Sequence, residues 1–204
     1  MIRGTTGYAE QAAELIARYE VQPFEHKHAA VVHLLPAAPS RVVDIGAGTG
    51  ADAAWLARCG HHVVAVEPTE ALRSYGMAEH ASPRIEWLAD SLPELARLVP
   101  RQACFDLVML TAVWMHIDQA ERAAAMPRLT ALLAPGGVMV MAIRHGPVPA
   151  GRVMFEASSA ETIALAQSCG LRAVLDVRTA STQPANRDAG VTWARLAFVP
   201  AGTA

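Results

Sequence analysis

The stretch VVDIGAGTG, residues 42–50, decides the fold of this 204-residue chain. It is an apolar run that contains one acid, Asp44, and continues into Gly46, Gly48 and Gly50 at every second position. A strand followed by a glycine-rich turn and a helix begins a nucleotide-binding βαβ unit. Such a loop normally cradles phosphate groups, which the carboxylate of Asp44 would repel. The loop therefore predicts a nucleotide-like ligand that is cationic where a dinucleotide carries phosphate.

The pattern around this loop predicts an α/β fold with a Rossmann-like sheet. Residues 41–45 and 62–66 predict the first two strands, with a helix between them, and the alternation continues to a fifth strand at residues 138–143. Such alternation predicts a mostly parallel sheet with helices on both faces. The last two extended runs, residues 171–179 and 191–199, predict an adjacent antiparallel pair joined by a polar loop.

We expect one domain over the whole chain, because no linker or internal repeat interrupts it. Residues 1–36 predict two leading amphipathic helices, at about residues 9–19 and 24–35, which lie over the cofactor site. Residues 37–146 predict a cofactor-binding core. Residues 147–204 predict a lid, a helix and the closing strand pair.

The composition indicates a soluble globular protein, with 52% hydrophobic and 18% charged residues and a formal net charge of −2. Proteins that bind nucleic acid through its phosphates normally carry a basic excess, whereas Lys27 is the only lysine here. We interpret its HKH neighbourhood, residues 26–28, as a solvated helix face. The three cysteines form no C-x-x-C pair, and no apolar run approaches the ~18 residues of a membrane span. We therefore expect a cytoplasmic monomer or homodimer without a nucleic-acid or membrane partner.

Two further acids follow the next two predicted strands. Glu67 comes near the end of VAVEP, twenty-one residues after the first glycine, where an acid accepts both hydrogen bonds of a ribose diol. Asp90, in WLADS, is placed to accept from an adenine amino group while the Ser91 backbone meets the ring edge. Ser91 also predicts the cap of a short helix over residues 91–98. With Asp44, these acids fit S-adenosylmethionine, which offers an adenosine and replaces the pyrophosphate with a sulfonium and an ammonium.

The chain resembles the class I S-adenosylmethionine-dependent methyltransferases through VVDIGAGTG, VAVEP, LADS, FDLVMLTAVWMHI and LLAPGGVMVMAIRHG, in the family's order, over residues 41–146. The resemblance implies a seven-stranded sheet whose last strand is inserted antiparallel. It also implies cofactor contacts at Gly46, Gly48, Glu67 and Asp90. The full predicted cofactor-binding set, at the ends of strands or in the loops after them, is Asp44, Gly46, Ala47, Gly48, Gly50, Glu67, Pro68, Asp90, Ser91 and Thr111.

Four side chains are candidates for the chemistry of methyl transfer. A base is needed only where a hydroxyl or ammonium acceptor must lose a proton, and His116 and His145 follow the fourth and fifth strands. His116 is the first choice, with a packed core histidine that donates to a backbone carbonyl as its alternative. Arg144 predicts a partner for a substrate carboxylate or phosphate, or else a structural arginine. Tyr8, beside the leading helices, predicts a phenol that reaches the ligands, or plain helix packing.

These features predict a metal-independent methyltransferase that acts on an oxygen or nitrogen of a small molecule and releases S-adenosylhomocysteine. Thr111 stands where, by resemblance, metal-dependent catechol relatives place an aspartate ligand, so no metal site is expected. One alternative is a protein that binds S-adenosylmethionine without turnover. A less favoured alternative is an NAD(P)-dependent reductase, whose G-x-G-x-x-G loop places the last glycine one residue later.

We expect Asp44→Ala and Glu67→Ala each to weaken S-adenosylmethionine binding at least about tenfold, roughly 1.4 kcal/mol, because each removes a charged acceptor. Titration calorimetry measures both affinities. Wild-type affinity in both variants would contradict the site assignment.

Overall fold

A single mixed sheet forms the centre of the fold in the computed structural model, which describes residues 3–101 and 104–202. Its strands are β1 (Arg41–Ile45), β2 (His62–Val66), β3 (Ile85–Leu88), β4 (Phe105–Thr111), β5 (Leu133–His145), β6 (Leu171–Ala180) and β7 (Thr192–Pro200). They lie in the order β3-β2-β1-β4-β5-β7-β6. Strands β1 to β5 pair in parallel, whereas β7 is antiparallel to both β5 and β6. This confirms the predicted Rossmann-like sheet with its last strand inserted antiparallel.

Helices cover both faces of the sheet. They are α1 (Ala12–Tyr19), α2 (Phe24–Lys27), α3 (Ala51–Arg58), α4 (Glu70–Glu79), α5 (Gln119–Leu132), α6 (Ser159–Ser168) and α7 (Pro184–Asp188). One apolar core joins the sheet to α5 and α6, and the other joins it to α2 and α3. No helix in the described part of the chain has both the length and the apolar character of a membrane span.

Strand β1 runs through the middle of the sheet and is buried on both sides. Val43 and Ile45 belong to the core beneath α5 and α6, and Val42 to the core beneath α2 and α3. A parallel strand buried on both faces normally consists of apolar residues only. Asp44, only 2% exposed, breaks that rule at the end of the strand that leads into the glycine loop.

The structure corrects two of the predicted helices. The helix expected over residues 24–35 ends at Lys27, and a 3-10 turn at Val32–Leu34 follows. Residues 91–98 form no helix, because the Asp90 carboxylate accepts backbone N–H bonds from Ser91 at 2.9 Å, from Arg97 at 2.8 Å and from Leu98 at 3.0 Å. Those bonds close a loop instead of opening a helix.

The carboxyl-terminal third also differs in detail from the sequence prediction. Strand β5 begins at Leu133, well before the predicted residue 138, and takes in the Pro-Gly-Gly turn that was expected to end the preceding helix. The connection between β6 and β7 contains α7 and is therefore more ordered than the polar loop expected there. This connection lies at the same edge of the sheet as the carboxyl end of β5, since Thr192 pairs with His145.

Trp87 on β3 packs against two glycines that no larger residue could replace without movement. A Cβ on Gly50 would lie 2.6 Å from the indole, and a Cβ on Gly76, within α4, would lie 2.3 Å from it. Gly50 also has a φ of +84°. These contacts give Gly50 a packing role between the glycine loop and the outer strands.

We expect Gly76→Ala to destabilise the protein by about 1–2 kcal/mol, because overpacking against Trp87 outweighs the roughly 1 kcal/mol by which alanine favours a helix interior. Denaturant unfolding measures the change. Ser74→Ala, at an exposed position of the same helix, is the matched control and should leave stability unchanged or slightly raised. A Gly76→Ala protein that is more stable than the wild type would show that the contact with the Trp87 indole does not outweigh the helix preference of alanine.

Candidate functional site

A cleft of about 470 Å³ opens at the carboxyl ends of β1, β2 and β4. The strand order reverses between β1 and β4, and open α/β sheets bind their ligands at such a switch point. The volume falls within the range of roughly 300–1,000 Å³ that small-molecule sites occupy. Ten of the twelve predicted site residues that line it come from loops after strands or from strand ends, and the other two, Tyr8 and His116, are hydrogen-bonded to each other.

Asp44 is a buried acid in the floor of the cleft. Burial, reinforced by the nearby Asp52 carboxylate and opposed by Lys27, raises the pKa of Asp44 to about 8. No donor within the described residues hydrogen-bonds to this carboxylate. An unsatisfied buried acid of this kind is stabilised by a cation that comes from a ligand.

Glu67, directly after β2, holds the glycine loop in place. Its two carboxylate oxygens accept from the backbone N–H of Gly48 at 2.9 Å and of Thr69 at 2.7 Å. Burial raises the pKa of Glu67, and the Thr69 and Gly48 hydrogen bonds act in the opposite direction. A carboxylate has about four lone-pair sites, so two remain for ligand hydroxyls.

The glycine loop approaches the cleft through backbone that only glycine adopts readily. Gly46 and Gly48 have φ values of +74° and +58°, and both line the cleft together with Ala47. Gly50 does not line the cleft, unlike the other glycines of the loop, and its assignment as a cofactor contact stays a prediction. Its positive φ serves the packing against Trp87 instead.

The remaining predicted cofactor residues all line the cleft. Pro68 follows Glu67, while Asp90 and Ser91 follow β3. Thr111 closes β4 and precedes Ala112, whose φ of +61° is unusual for a residue with a Cβ. Because the Asp90 oxygens already accept three backbone N–H bonds, an adenine amino group would share this carboxylate with the loop.

Tyr8 and His116 form a hydrogen-bonded pair in the cleft. The Tyr8 hydroxyl lies 2.9 Å from His116 Nε2, and His116 Nδ1 lies 2.8 Å from the Val153 carbonyl. A carbonyl only accepts, so Nδ1 carries the proton and Nε2 accepts from the phenol. Burial lowers the pKa of His116, with the Val153 bond acting against it, and burial raises that of Tyr8. His116 is therefore both a packed histidine and a cleft residue.

Only one of the two other candidate catalytic residues, Arg144 and His145, lines the cleft. Arg144 lines the cleft, and its Nη1 donates to the Pro147 carbonyl at 2.7 Å. His145 is the next residue of the strand and projects to the opposite face. It does not line the cleft, so the prediction that it faces the ligands is wrong.

The structure adds a charged cluster that the sequence prediction missed. Lys27 Nζ lies 2.7 Å from Asp52 Oδ1, and His28 Nε2 lies 2.9 Å from Asp52 Oδ2. Although burial alone would raise the pKa of Asp52, Lys27 and His28 hold it well below its usual range. The prediction that residues 26–28 form a solvated face is wrong for His28, which is 2% exposed, and for Lys27, which lines the cleft.

The far wall of the cleft comes from the connection between β6 and β7 and from β7 itself. Gln183, Asn186, Trp193 and Arg195 all line it. No motif marks these residues in the sequence. They reach the site only because β7 is inserted antiparallel, which brings its first residues to the carboxyl edge of β5.

Part of the chain is similar to known methyltransferases. Residues 42–137 match the family model described as a methyltransferase domain. Uncharacterized methyltransferases of Mycobacterium tuberculosis and Mycobacterium bovis are 32% identical over 115 residues, which is 53% of this chain and 41% of theirs. These matches assign residues 42–137 to a methyltransferase domain. The matched part spans less than half the length of those mycobacterial relatives.

Solved methyltransferases share the fold at low identity. The 1,6-didemethyltoxoflavin-N1-methyltransferase of Burkholderia thailandensis, with 1,6-didemethyltoxoflavin and S-adenosylhomocysteine bound, is 20% identical, with a TM-score of 0.72 over 95% of this chain and 85% of that one. The magnesium protoporphyrin IX methyltransferase of Synechocystis, with S-adenosylmethionine bound, is 14% identical, with a TM-score of 0.62 over 95% and 80%. The methyltransferase family thus favours a sulfonium cofactor over the nicotinamide alternative.

Within the described residues, no three His, Cys, Asp or Glu side chains come together in a way that could hold a metal ion. Metal independence remains a prediction that rests on Thr111.

The Asp44 carboxyl predicts a stability that depends on pH. Its pKa is about 8 in the folded protein against an ordinary 3.8. Between these values the unfolded chain releases a proton that the folded chain keeps, so this acid destabilises the fold increasingly as pH rises from about 4 to 8. Above about pH 8 the loss is complete and constant.

We therefore expect Asp44→Asn to gain stability relative to the wild type over that pH range. Urea unfolding at pH 5, 7 and 8.5 measures the difference. The exposed Asp176→Asn is the matched control and should follow the wild type at every pH. A constant gap between Asp44→Asn and the wild type would contradict the assigned shift.

Proposed function

We propose that the chain transfers the methyl group of S-adenosylmethionine to an oxygen or nitrogen of a small molecule, without a metal ion. The observation that carries the proposal is the Tyr8–His116 pair, which places a neutral imidazole nitrogen and a phenol in a cleft whose floor carries an unsatisfied acid.

The residues of the cleft fit the cofactor in charge and in shape. Among the residues that the structure describes, Asp44 is a buried acid without a hydrogen-bond donor, which suits the ammonium of the methionine part. Glu67 keeps lone pairs for a ribose diol. A Cβ on Gly48 would make only ordinary contact, at 3.8 Å, with the Tyr19 ring, so the loop is not tightly packed on its cleft side. S-adenosylmethionine supplies a methyl carbon that positive sulfur has already activated.

The protein groups then handle the acceptor proton. His116 takes up a proton at Nε2, because its Nδ1 hydrogen is committed to Val153. The lowered pKa of His116 keeps Nε2 unprotonated at neutral pH. Tyr8 lies between this nitrogen and the cleft, so it can pass the proton from an acceptor hydroxyl or amine to His116. The raised pKa of Tyr8 favours its neutral form, as a relay requires.

A roof over the cleft favours a small acceptor. A Cβ on Gly7 would lie 2.4 Å from the Gly151 carbonyl oxygen, so the amino-terminal segment and the loop after β5 touch there. Arg152 joins them, with Nη1 donating to the Thr6 carbonyl at 3.2 Å and Nη2 donating to Gln11 Oε1 at 2.8 Å. A polymer would have to displace this roof, whereas a metabolite fits beneath it.

The direct test is transfer of labelled methyl from S-adenosylmethionine into fractionated metabolites of the source cell. We expect label in one small-molecule fraction, with S-adenosylhomocysteine formed in equal amount. Tight binding of S-adenosylmethionine without any labelled product would favour the alternative of a binding protein. The same assay with and without a chelator tests metal independence.

We expect His116→Ala to lower kcat at least about 100-fold, as loss of a general base does, with unchanged affinity for S-adenosylhomocysteine. The wild-type kcat should fall as pH drops below the lowered pKa of His116. This pH dependence of kcat should be absent in the variant. Tyr8→Phe should lower kcat while it preserves ring packing.

His145→Ala is the matched control, since this histidine lies outside the cleft, and we expect wild-type kcat from it. Equal kcat values for the two histidine variants would remove His116 from the mechanism.

A further inference from the structure

Arg195 on β7 is a cation buried without an acidic partner. It is 5% exposed and lines the cleft. Within the described residues its guanidinium makes one hydrogen bond, from Nε to Thr179 Oγ1 at 3.3 Å. No ion pair joins it to Asp52, the acid that acts on it through space. Its two terminal nitrogens therefore have no protein acceptor.

The surrounding charges leave a positive excess at neutral pH. Asp52 is already paired with Lys27 and His28. Asp44, with a pKa near 8, is neutral in the free protein, and when it ionises the cofactor ammonium balances it. Burial lowers the pKa of Arg195 to about 10, which still leaves it charged. Within the described residues, Arg195 thus has no acidic counterion, and neither has Arg144, which lines the cleft from β5.

A buried, unpaired guanidinium is costly unless a ligand pairs with it. Its planar pair of terminal nitrogens matches a carboxylate, which accepts two parallel hydrogen bonds and carries one negative charge. This planar match favours a carboxylate.

Strand β5 lies between Arg195 on β7 and the cofactor end of the cleft, which is formed by β1, β2 and β4. Thr111, Ala142 and Arg195 form one row across β4, β5 and β7. Two strand spacings, about 10 Å, separate the backbones of Thr111 and Arg195. Glu67 and Asp90, which serve the adenosine, follow β2 and β3 on the other side of β1.

We propose that the methyl acceptor is a small carboxylic acid and that Arg195 determines this specificity by pairing with its carboxylate. This inference rests on the proposed function, because there is a methyl acceptor only if the chain transfers a methyl group. The carboxylate lies at β7, away from the methyl group, so the transferred methyl goes to a different oxygen or nitrogen and the product keeps its acid. The Trp193 ring, whose centroid lies 5.4 Å from the guanidinium carbon, offers an apolar wall beside the ion pair.

The test compares benzoate with its neutral match benzamide as probes of the S-adenosylhomocysteine-saturated protein, by titration calorimetry. We expect benzoate to bind at least about tenfold more tightly than benzamide in the wild type. Arg195→Gln should abolish that preference and leave S-adenosylhomocysteine affinity unchanged. Arg172→Gln, an exposed arginine at the far end of β6, is the control and should keep the preference.

Three results would overturn the inference. They are equal binding of the two probes by the wild type, an undiminished benzoate preference in Arg195→Gln, and a loss of S-adenosylhomocysteine affinity in that variant, which would assign Arg195 to the carboxylate of the cofactor.

The methyl-transfer assay separates this inference from the proposed function. Products that an anion exchanger retains, with labelling that falls at least about tenfold in Arg195→Gln, support both. Transfer only into unretained products overturns the inference alone. A benzoate preference without any transfer leaves the acid site standing and overturns the proposed function.

Discussion

The burial of one carboxylate at the end of the central strand constrains the rest of the site. Asp44 occupies a position where a parallel sheet normally carries an apolar side chain, and none of residues 3–101 and 104–202 provides a hydrogen-bond donor for it. Only a neutral, protonated carboxyl or an external cation resolves that situation. The glycine loop, held from the next strand by Glu67, gives such a cation access to the acid. The fold thus tolerates a locally unfavourable group whose benefit appears only with a ligand present.

Much of this arrangement could be predicted from the sequence, because it depends on local pattern. Apolar runs that end at fixed offsets from glycines predict the strand boundaries of β1 and β2. They also predict the acids at or just after the ends of β1, β2 and β3. Tyr8 and His116 were harder, since they are 108 residues apart and only the docking of the leading segment brings them together. The sequence named both residues as candidates but could not pair them.

The predictions that differ from the structure fail because contacts in the folded chain outweigh the local sequence pattern. Residues 91–98 carry helix-forming residues, yet three hydrogen bonds to the Asp90 carboxylate outweigh that local preference. Arg195 carries no sequence signal, because only the insertion of β7 between β5 and β6 brings it to the cleft.

Arg152 links the roof to the Tyr8–His116 pair. Its guanidinium carbon lies 3.8 Å from the centre of the Tyr8 ring. This one arginine of the loop after β5 therefore contacts both the backbone of the amino-terminal segment and the phenol. Tyr8 belongs to the amino-terminal side of the roof, and His116 is held through Nδ1 by the Val153 carbonyl of the same loop that carries Arg152. A movement of the amino-terminal segment away from this loop would part phenol from imidazole. The proton-accepting pair therefore depends on the contact between the two sides of the roof.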